Sequence, residues 1–134
     1  IPRRTKYMIR SMMAGKINRA TGTQANVDYE GSITIDPDLM DAAGILQYEL
    51  VQVLDITNGA RLETYAIEGT RGSGDVCVNG AAGLLVRDRD LIIILHFLQM
   101  TEEEACLMKP KIVRVDENNK IISKTDKIEA HTLY

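Results

Sequence analysis

The sequence is divided into short β-type runs, which limits the folds that it can adopt. Eight runs rich in Val, Ile, Leu and Thr lie between clusters of Gly, Asn and Asp, the residues that commonly end strands. Asn58-Gly59 between two of these runs predicts a hairpin, because both residues tolerate a positive φ. Many short strands with few helices favour a closed barrel or a sandwich. The predicted strands cover residues 8–13, 32–35, 50–55, 62–67, 76–78, 91–97, 112–115 and 120–123.

Three short helices are predicted between these strands. Asp36 followed by Pro37 is typical of a helix start, and Gly44 is a suitable stop for that helix. A capping box predicts a second helix over residues 102–108, which ends before a proline. One further helical turn is expected over residues 81–86. The sequence therefore predicts a mainly β chain with a few short helices.

Composition excludes several classes of protein. A chain of 134 residues that is 45% hydrophobic and 26% charged is typical of one globular domain. The longest apolar run, residues 91–95, is far shorter than the roughly 20 residues that cross a bilayer, and no secretory segment is evident. Two cysteines without a CxxC spacing indicate neither a disulfide framework nor a zinc site. We therefore expect a cytoplasmic protein without a bound metal.

Charge is unevenly distributed along the chain. Residues 1–31 carry six Lys or Arg against two acids, a balance of +4, whereas residues 32–134 carry ten against seventeen, a balance of −7. The basic residues are scattered and only 4% of the chain is aromatic, so neither nucleic acid nor a membrane is an expected partner. Residues 1–7 precede Met8, a plausible start, and are expected to be a tag or an N-terminal extension of a single domain over residues 8–134.

Gly31-Ser32 is a candidate site of self-cleavage. The Ser32 hydroxyl can attack the Gly31 carbonyl and convert the peptide bond to an ester. Elimination then gives dehydroalanine, and hydrolysis leaves a pyruvoyl group at the head of a 103-residue piece. Glycine at position 31 is expected to help, because it reaches backbone conformations that are closed to other residues. The dipeptide alone is also common in turns, and Gly72-Ser73 is expected to be only a turn.

The segments around this dipeptide resemble the aspartate decarboxylase family, small pyruvoyl-dependent enzymes. The resemblance covers roughly residues 8–120 in the family's order. It implies a six-stranded double-psi β-barrel that assembles as a homotetramer with active sites at subunit interfaces. It also implies a zymogen that converts L-aspartate to β-alanine and carbon dioxide for pantothenate synthesis. The matching segments are Lys16-Ile17 and residues 19–21, 29–36, 39–43, 58–67, 71–73 and 78–82.

The same resemblance implies roles for individual residues. Ser32 would become the pyruvoyl group that forms a Schiff base with the substrate amine, without a metal or pyridoxal phosphate. Tyr65 would donate a proton to the decarboxylated carbon, since an ordinary tyrosine keeps its proton at neutral pH. Thr64 would hold the Gly31 carbonyl during self-cleavage. The implied substrate-binding residues are Lys16, Arg61, Thr64, Asn79, Gly80, Ala81 and Ala82.

Two other functions are open at this point. The same small barrel also occurs as a binding or adaptor module without catalysis, in which Gly31-Ser32 would be an uncut turn. A pyruvoyl decarboxylase that acts on another acidic amino acid, such as glutamate, is the second alternative. The sequence also leaves open whether a helper protein assists the cleavage.

Overall fold

The chain folds mainly into β-strands joined by short helices. The computed structural model describes residues 8–133, so the expectation for residues 1–7 lies outside the described residues. Among residues 8–133, no helix is long and apolar enough to cross a membrane. The elements are β1 (Ile9–Thr21), β2 (Gln24–Asn26), β3 (Ile33–Ile35), α1 (Pro37–Ala43), β4 (Leu50–Asp55), β5 (Arg61–Glu68), β6 (Val76–Asn79), a 3₁₀ helix (Gly80–Leu84), β7 (Leu91–Thr101), α2 (Glu102–Leu107), β8 (Lys111–Val115) and β9 (Ile121–Thr125).

The strands form one mixed sheet in the order β2-β6-β3-β5-β4-β7-β1-β8-β9. Three of its pairs are parallel, namely β1 with β8, β2 with β6 and β3 with β5. A single apolar core takes residues from strands near both ends of this order, for example Val78 of β6 and Val113 of β8. Strands so far apart in the order can share a core only if the sheet curves around it, which is consistent with a β-barrel type of fold.

The local signals for α1, α2 and the hairpin are confirmed. The Asp36 side chain accepts a hydrogen bond from the Asp38 backbone N–H at 2.8 Å, and Gly44 ends α1 with a φ of 78°. The capping box at the start of α2 is also present. Strands β4 and β5 pair antiparallel across Asn58-Gly59, and Gly59 has a φ of 80°.

Two predicted strands were too short, and one strand was not predicted. The strand predicted over residues 91–97 continues to Thr101. The strand predicted over residues 8–13 runs on to Thr21, because register shifts after Met13 and Ile17 let it continue past Gly15 and Arg19. Arg19 adopts a φ of 57° at the second shift. Strand β2 was not predicted, because its three residues lack the apolar alternation of a half-buried strand and it pairs only with β6.

A pair of carboxyl groups lies where β4 ends. Asp55 is buried, and its Oδ1 accepts hydrogen bonds from the backbone N–H groups of Thr57 and Asn58, whereas Oδ2 has no hydrogen-bond donor. Burial raises the pKa of Asp55, and its hydrogen bond with Asp90 acts in the same direction. The same hydrogen bond lowers the pKa of Asp90. The raised pKa favours a proton on Asp55, which would supply the donor that the pair otherwise lacks.

We predict that Asp55→Asn stabilises the protein at neutral pH. A raised pKa in the folded state gives a stabilising contribution that is present at low pH and is lost as the pH rises through that pKa. The asparagine amide supplies a permanent donor toward Asp90, so the melting temperature at pH 7–8 should rise by roughly 2–5 °C. Thermal unfolding between pH 4 and pH 8 measures this.

The gain should shrink toward pH 4, where the wild-type pair already holds its proton. Glu117→Gln is the matched control, because Glu117 is an exposed acid and its replacement removes one charge without touching the pair. An Asp55→Asn gain that is equal at pH 4 and pH 8 would contradict the shared proton.

Candidate active site

Strand β3 lies between β5 and β6 and carries polar residues on one face. It pairs parallel with β5, where Ile33 faces Ala66, and antiparallel with β6, where Ile33 faces Val78. Ile33 belongs to the core, so Ser32 and Thr34 point to the opposite face by the two-residue alternation of a strand. The pairing thus places Ser32 at one end of a strand with a neighbour on each side.

Asn79 forms two hydrogen bonds with Ser32, one from its backbone and one from its side chain. Ser32 is only 2% exposed, and its carbonyl accepts a hydrogen bond from the Asn79 backbone N–H at 2.7 Å. The Asn79 side-chain Nδ2 donates to Ser32 Oγ at 3.2 Å, and Ser32 Oγ donates to the Glu30 carbonyl at 3.2 Å. The candidate nucleophile is therefore buried and fixed in orientation, unlike the serine of an ordinary surface turn.

Cys77 and Thr34 complete this group, and the sequence analysis did not identify either of them. The Cys77 thiol donates to Asn79 Oδ1 at 3.0 Å, and Asn79 Nδ2 donates to Thr34 Oγ1 at 3.0 Å. The signal that could have identified them is alternation: Thr34 lies between Ile33 and Ile35, and Cys77 lies between two valines.

Gly80 packs directly on the peptide before Ser32. It has a φ of 73°, and a Cβ at this position would lie 2.6 Å from Gly31 Cα and 3.0 Å from Gly31 N. The requirement for glycine is therefore at position 80. We expected position 31 to need the conformational freedom of glycine, and the structure shows no such need. Gly31 is exposed, lacks a positive φ and has open space where a Cβ would lie.

The register of β3 and β5 puts Tyr65 beside Ser32 and Thr64 on the other face of β5. Ser32 and Tyr65 immediately precede the paired Ile33 and Ala66, so the parallel register puts their side chains on the same face. Thr64 alternates to the other face of β5. Among the hydrogen bonds of residues 8–133, none joins Thr64 to Gly31. Its role toward the Gly31 carbonyl remains a prediction.

The two predicted cations lie away from Ser32 within one chain. Arg61 is exposed and precedes Tyr65 by four residues, or about 13 Å along β5. Lys16 lies on β1 between Leu95 of β7 and Ile112 of β8. Three strands separate β1 from β3 in the sheet order. Partial burial lowers the pKa of Lys16. One chain thus brings Ser32, Tyr65, Asn79 and Gly80 together, but not the two cations.

The rest of the predicted substrate-binding segment begins the 3₁₀ helix. Ala81 is exposed, whereas Ala82 is half-buried and packs on the core. The first residue of this helix, Gly80, touches Gly31, so the start of the helix lies against the candidate cleavage site.

We predict that Gly80→Ala destabilises the protein more than Gly72→Ala. Both glycines have a positive φ, 73° at Gly80 and 79° at Gly72, but a Cβ at Gly72 would meet open space. The conformational cost alone should lower the free energy of unfolding by about 1 kcal/mol in Gly72→Ala. Gly80→Ala should lose about 1–3 kcal/mol more, because its Cβ displaces the backbone at Gly31.

Urea unfolding of the two variants measures the difference. Gly31→Ala serves as a third variant and should fold as well as the wild type, since space is open there. Equal losses in Gly80→Ala and Gly72→Ala would show that the contact with Gly31 carries no constraint.

Comparisons with known proteins point in one direction. A family model described as "Aspartate decarboxylase" matches residues 8–122. An "Aspartate 1-decarboxylase" of Thermoanaerobacter pseudethanolicus is 57% identical over 116 residues, which are 87% of this chain and 99% of the relative. The relative of that name from Bacillus velezensis is 52% identical over 126 residues, covering 94% and 99%. The one from Corynebacterium efficiens is 53% identical over 116 residues, covering 87% and 85%.

Proposed function

The chain belongs to the aspartate decarboxylase family, and we propose that it makes its own pyruvoyl group from Ser32. The reaction is the decarboxylation of L-aspartate to β-alanine, a carboxy-lyase reaction that feeds pantothenate synthesis. The pyruvoyl proposal is supported by two hydrogen bonds from Asn79 to buried Ser32, one to its hydroxyl and one to its carbonyl. A binding module with an uncut turn does not need its serine to be buried and fixed by two hydrogen bonds.

A pyruvoyl group at position 32 would supply the electron sink that decarboxylation of an amino acid requires. The residues around Ser32 suit such a group, because Asn79 offers N–H donors from its backbone and its side chain to the oxygens at this position. Tyr65 is on the same face and would carry the proton for the substrate carbon. Cleavage before Ser32 would divide the 134 residues into pieces of 31 and 103.

We further propose a homotetramer with active sites between subunits, built on a six-stranded double-psi β-barrel. Aspartate has two carboxylates, so its site needs cationic partners. Arg61 and Lys16 are the proposed partners, but both lie away from Ser32 in one chain. A second copy could bring its own Arg61 or Lys16 to this position. Backbone N–H groups at Gly80, Ala81 and Ala82 would bind the other end of the substrate.

The separation of the two cations from Ser32 supports shared sites, and so does the exposed position of Arg61. Thr64 is kept as a proposed contact of the Gly31 carbonyl and of the substrate. Cytoplasmic location remains a proposal that follows from the two unpaired cysteines.

Ser32→Ala should abolish both self-cleavage and decarboxylation, because the attacking hydroxyl is also the source of the cofactor. Intact mass under denaturing conditions should show one uncut chain in the variant and two pieces in the wild type. Treatment of the wild type with L-aspartate and cyanoborohydride should add trapped substrate to the larger piece alone.

The matched control is Ser73→Ala, since Gly72-Ser73 is the second Gly-Ser dipeptide of the chain and is exposed. This variant should be cut and active like the wild type. A wild-type chain that stays whole and traps no substrate, with or without a helper protein, would refute the pyruvoyl proposal.

Tyr65→Phe should separate self-cleavage from catalysis. The variant should still be cut at Gly31-Ser32, because no described hydrogen bond of Ser32 involves Tyr65. Loss of the proton donor should lower kcat by roughly 100-fold or more, with a smaller change in KM. Tyr48→Phe is the control, because Tyr48 is an exposed tyrosine outside the group around Ser32. Unchanged kcat in Tyr65→Phe would remove this residue from the proposed chemistry.

A further inference from the structure

Four side chains form a hydrogen-bonded group on one face of β3 and β6, which we name the Asn79 relay: buried Ser32, Cys77 and Asn79, and half-buried Thr34. We propose that Cys77 and Thr34 are positioning residues for self-cleavage, which hold the Asn79 amide in the orientation that donates to Ser32 Oγ. This inference rests on the proposed function and gives a role in it to two residues that had none.

The register of the sheet brings the four side chains together. In the antiparallel pair of β3 and β6, Thr34 faces Cys77, and Ser32 faces Asn79 at the next position. All four therefore project from the same face, opposite the core residues Ile33 and Val78. Cys77 and Asn79 are 7% and 5% exposed, so water cannot readily replace a missing partner.

The hydrogen bonds of the relay are consistent with only one orientation of the Asn79 amide. Ser32 Oγ gives its proton to the Glu30 carbonyl, so toward Asn79 it must accept, and the atom facing it must be Nδ2. The opposite end, Oδ1, then needs a donor, and the Cys77 thiol supplies it at 3.0 Å. Thr34 Oγ1 takes the second proton of Nδ2. Each polar atom of the amide is thereby satisfied.

The Cys77 thiol is suited to act as a permanent donor. Burial raises the pKa of Cys77, and the negative charges of Asp75 and Asp88 raise it further. The sulfur therefore keeps its proton at neutral pH and above. Without that donor, Asn79 Oδ1 would be buried without a partner, which favours rotation of the amide away from Ser32.

The relay acts on the first step of self-cleavage. Ser32 Oγ forms a bond to the Gly31 carbonyl carbon, the bond from that carbon to Ser32 N breaks, and the hydroxyl proton ends on the released amine. The products are an ester and an α-amine, and no other reactant is needed. An amide N–H fixed toward Ser32 Oγ orients the attacking oxygen. An Asn79 amide that rotates freely would not keep Ser32 Oγ in a fixed orientation.

The test compares paired variants of freshly purified protein. Cys77→Ala and Thr34→Val should each slow the appearance of the 31- and 103-residue pieces about tenfold, followed by intact mass. Cys77→Ser replaces the thiol donor by a hydroxyl donor, Thr34→Ser keeps the hydroxyl acceptor, and both variants should keep most of the rate. Cys106→Ala is the control for loss of a thiol, because Cys106 is exposed and outside the relay.

Two readouts separate positioning from a structural effect. The melting temperature identifies variants whose cleavage slows because the chain unfolds. If Cys77 has only a structural role, Cys77→Ser and Cys77→Ala should slow cleavage to the same extent. Hydrogen exchange at the Asn79 side-chain amide, measured by NMR, should be faster in Cys77→Ala than in Cys77→Ser. Equal cleavage rates in the wild type, Cys77→Ala and Thr34→Val would overturn the inference, as would equal slowing in Cys77→Ala and Cys77→Ser.

The failure of the inference differs from that of the proposed function. A wild-type chain that never cuts itself contradicts the proposed function. The exchange measurement then still tests the relay, because it needs only the folded chain, and equal Asn79 exchange in Cys77→Ala and Cys77→Ser would overturn the relay.

Discussion

The pairing of the three-residue strand β3 with β5 on one side and β6 on the other is the constraint on which the candidate site depends. It turns Ile33 and Ile35 into the core and leaves Ser32 and Thr34 on the opposite face. The parallel partner supplies Tyr65 and the antiparallel partner supplies Asn79. A shift of one residue in either register would exchange the two faces and separate these groups.

The backbone that precedes Ser32 is constrained by its contact with Gly80 and not by strand pairing. Gly80 begins the 3₁₀ helix and lies against Gly31, so the segment before Ser32 is confined although it is exposed. Asn79 thus constrains Ser32 through hydrogen bonds, and Gly80 constrains Gly31 through contact. Their adjacency in the chain makes the Asn-Gly dipeptide one structural unit.

Local features could be predicted from the sequence better than contacts between residues that are far apart in the chain. Asp36, Gly44 and Asn58-Gly59 act through neighbouring residues, so the ends of α1 and the hairpin were predicted correctly. Ser32 was identified as a candidate through the segments around it. Cys77 was missed because its link to Ser32 passes through Asn79, and the β3–β6 register that brings Asn79 to Ser32 cannot be predicted from a local pattern. The position of Lys16, separated from β3 by three strands, could not be predicted, because a motif carries no information about how many strands lie between two residues.

The position of β1 has a consequence for a chain that is cut before Ser32. Strand β1 lies between β7 and β8, and β2 pairs with β6, so the N-terminal piece contributes an inserted strand and a second paired strand. Its departure would leave edges of β6, β7 and β8 unpaired and would uncover core residues such as Ile94 and Val113. The two pieces would therefore behave as an intertwined heterodimer, whose lifetime is set by the barrier to unfolding and not by dilution.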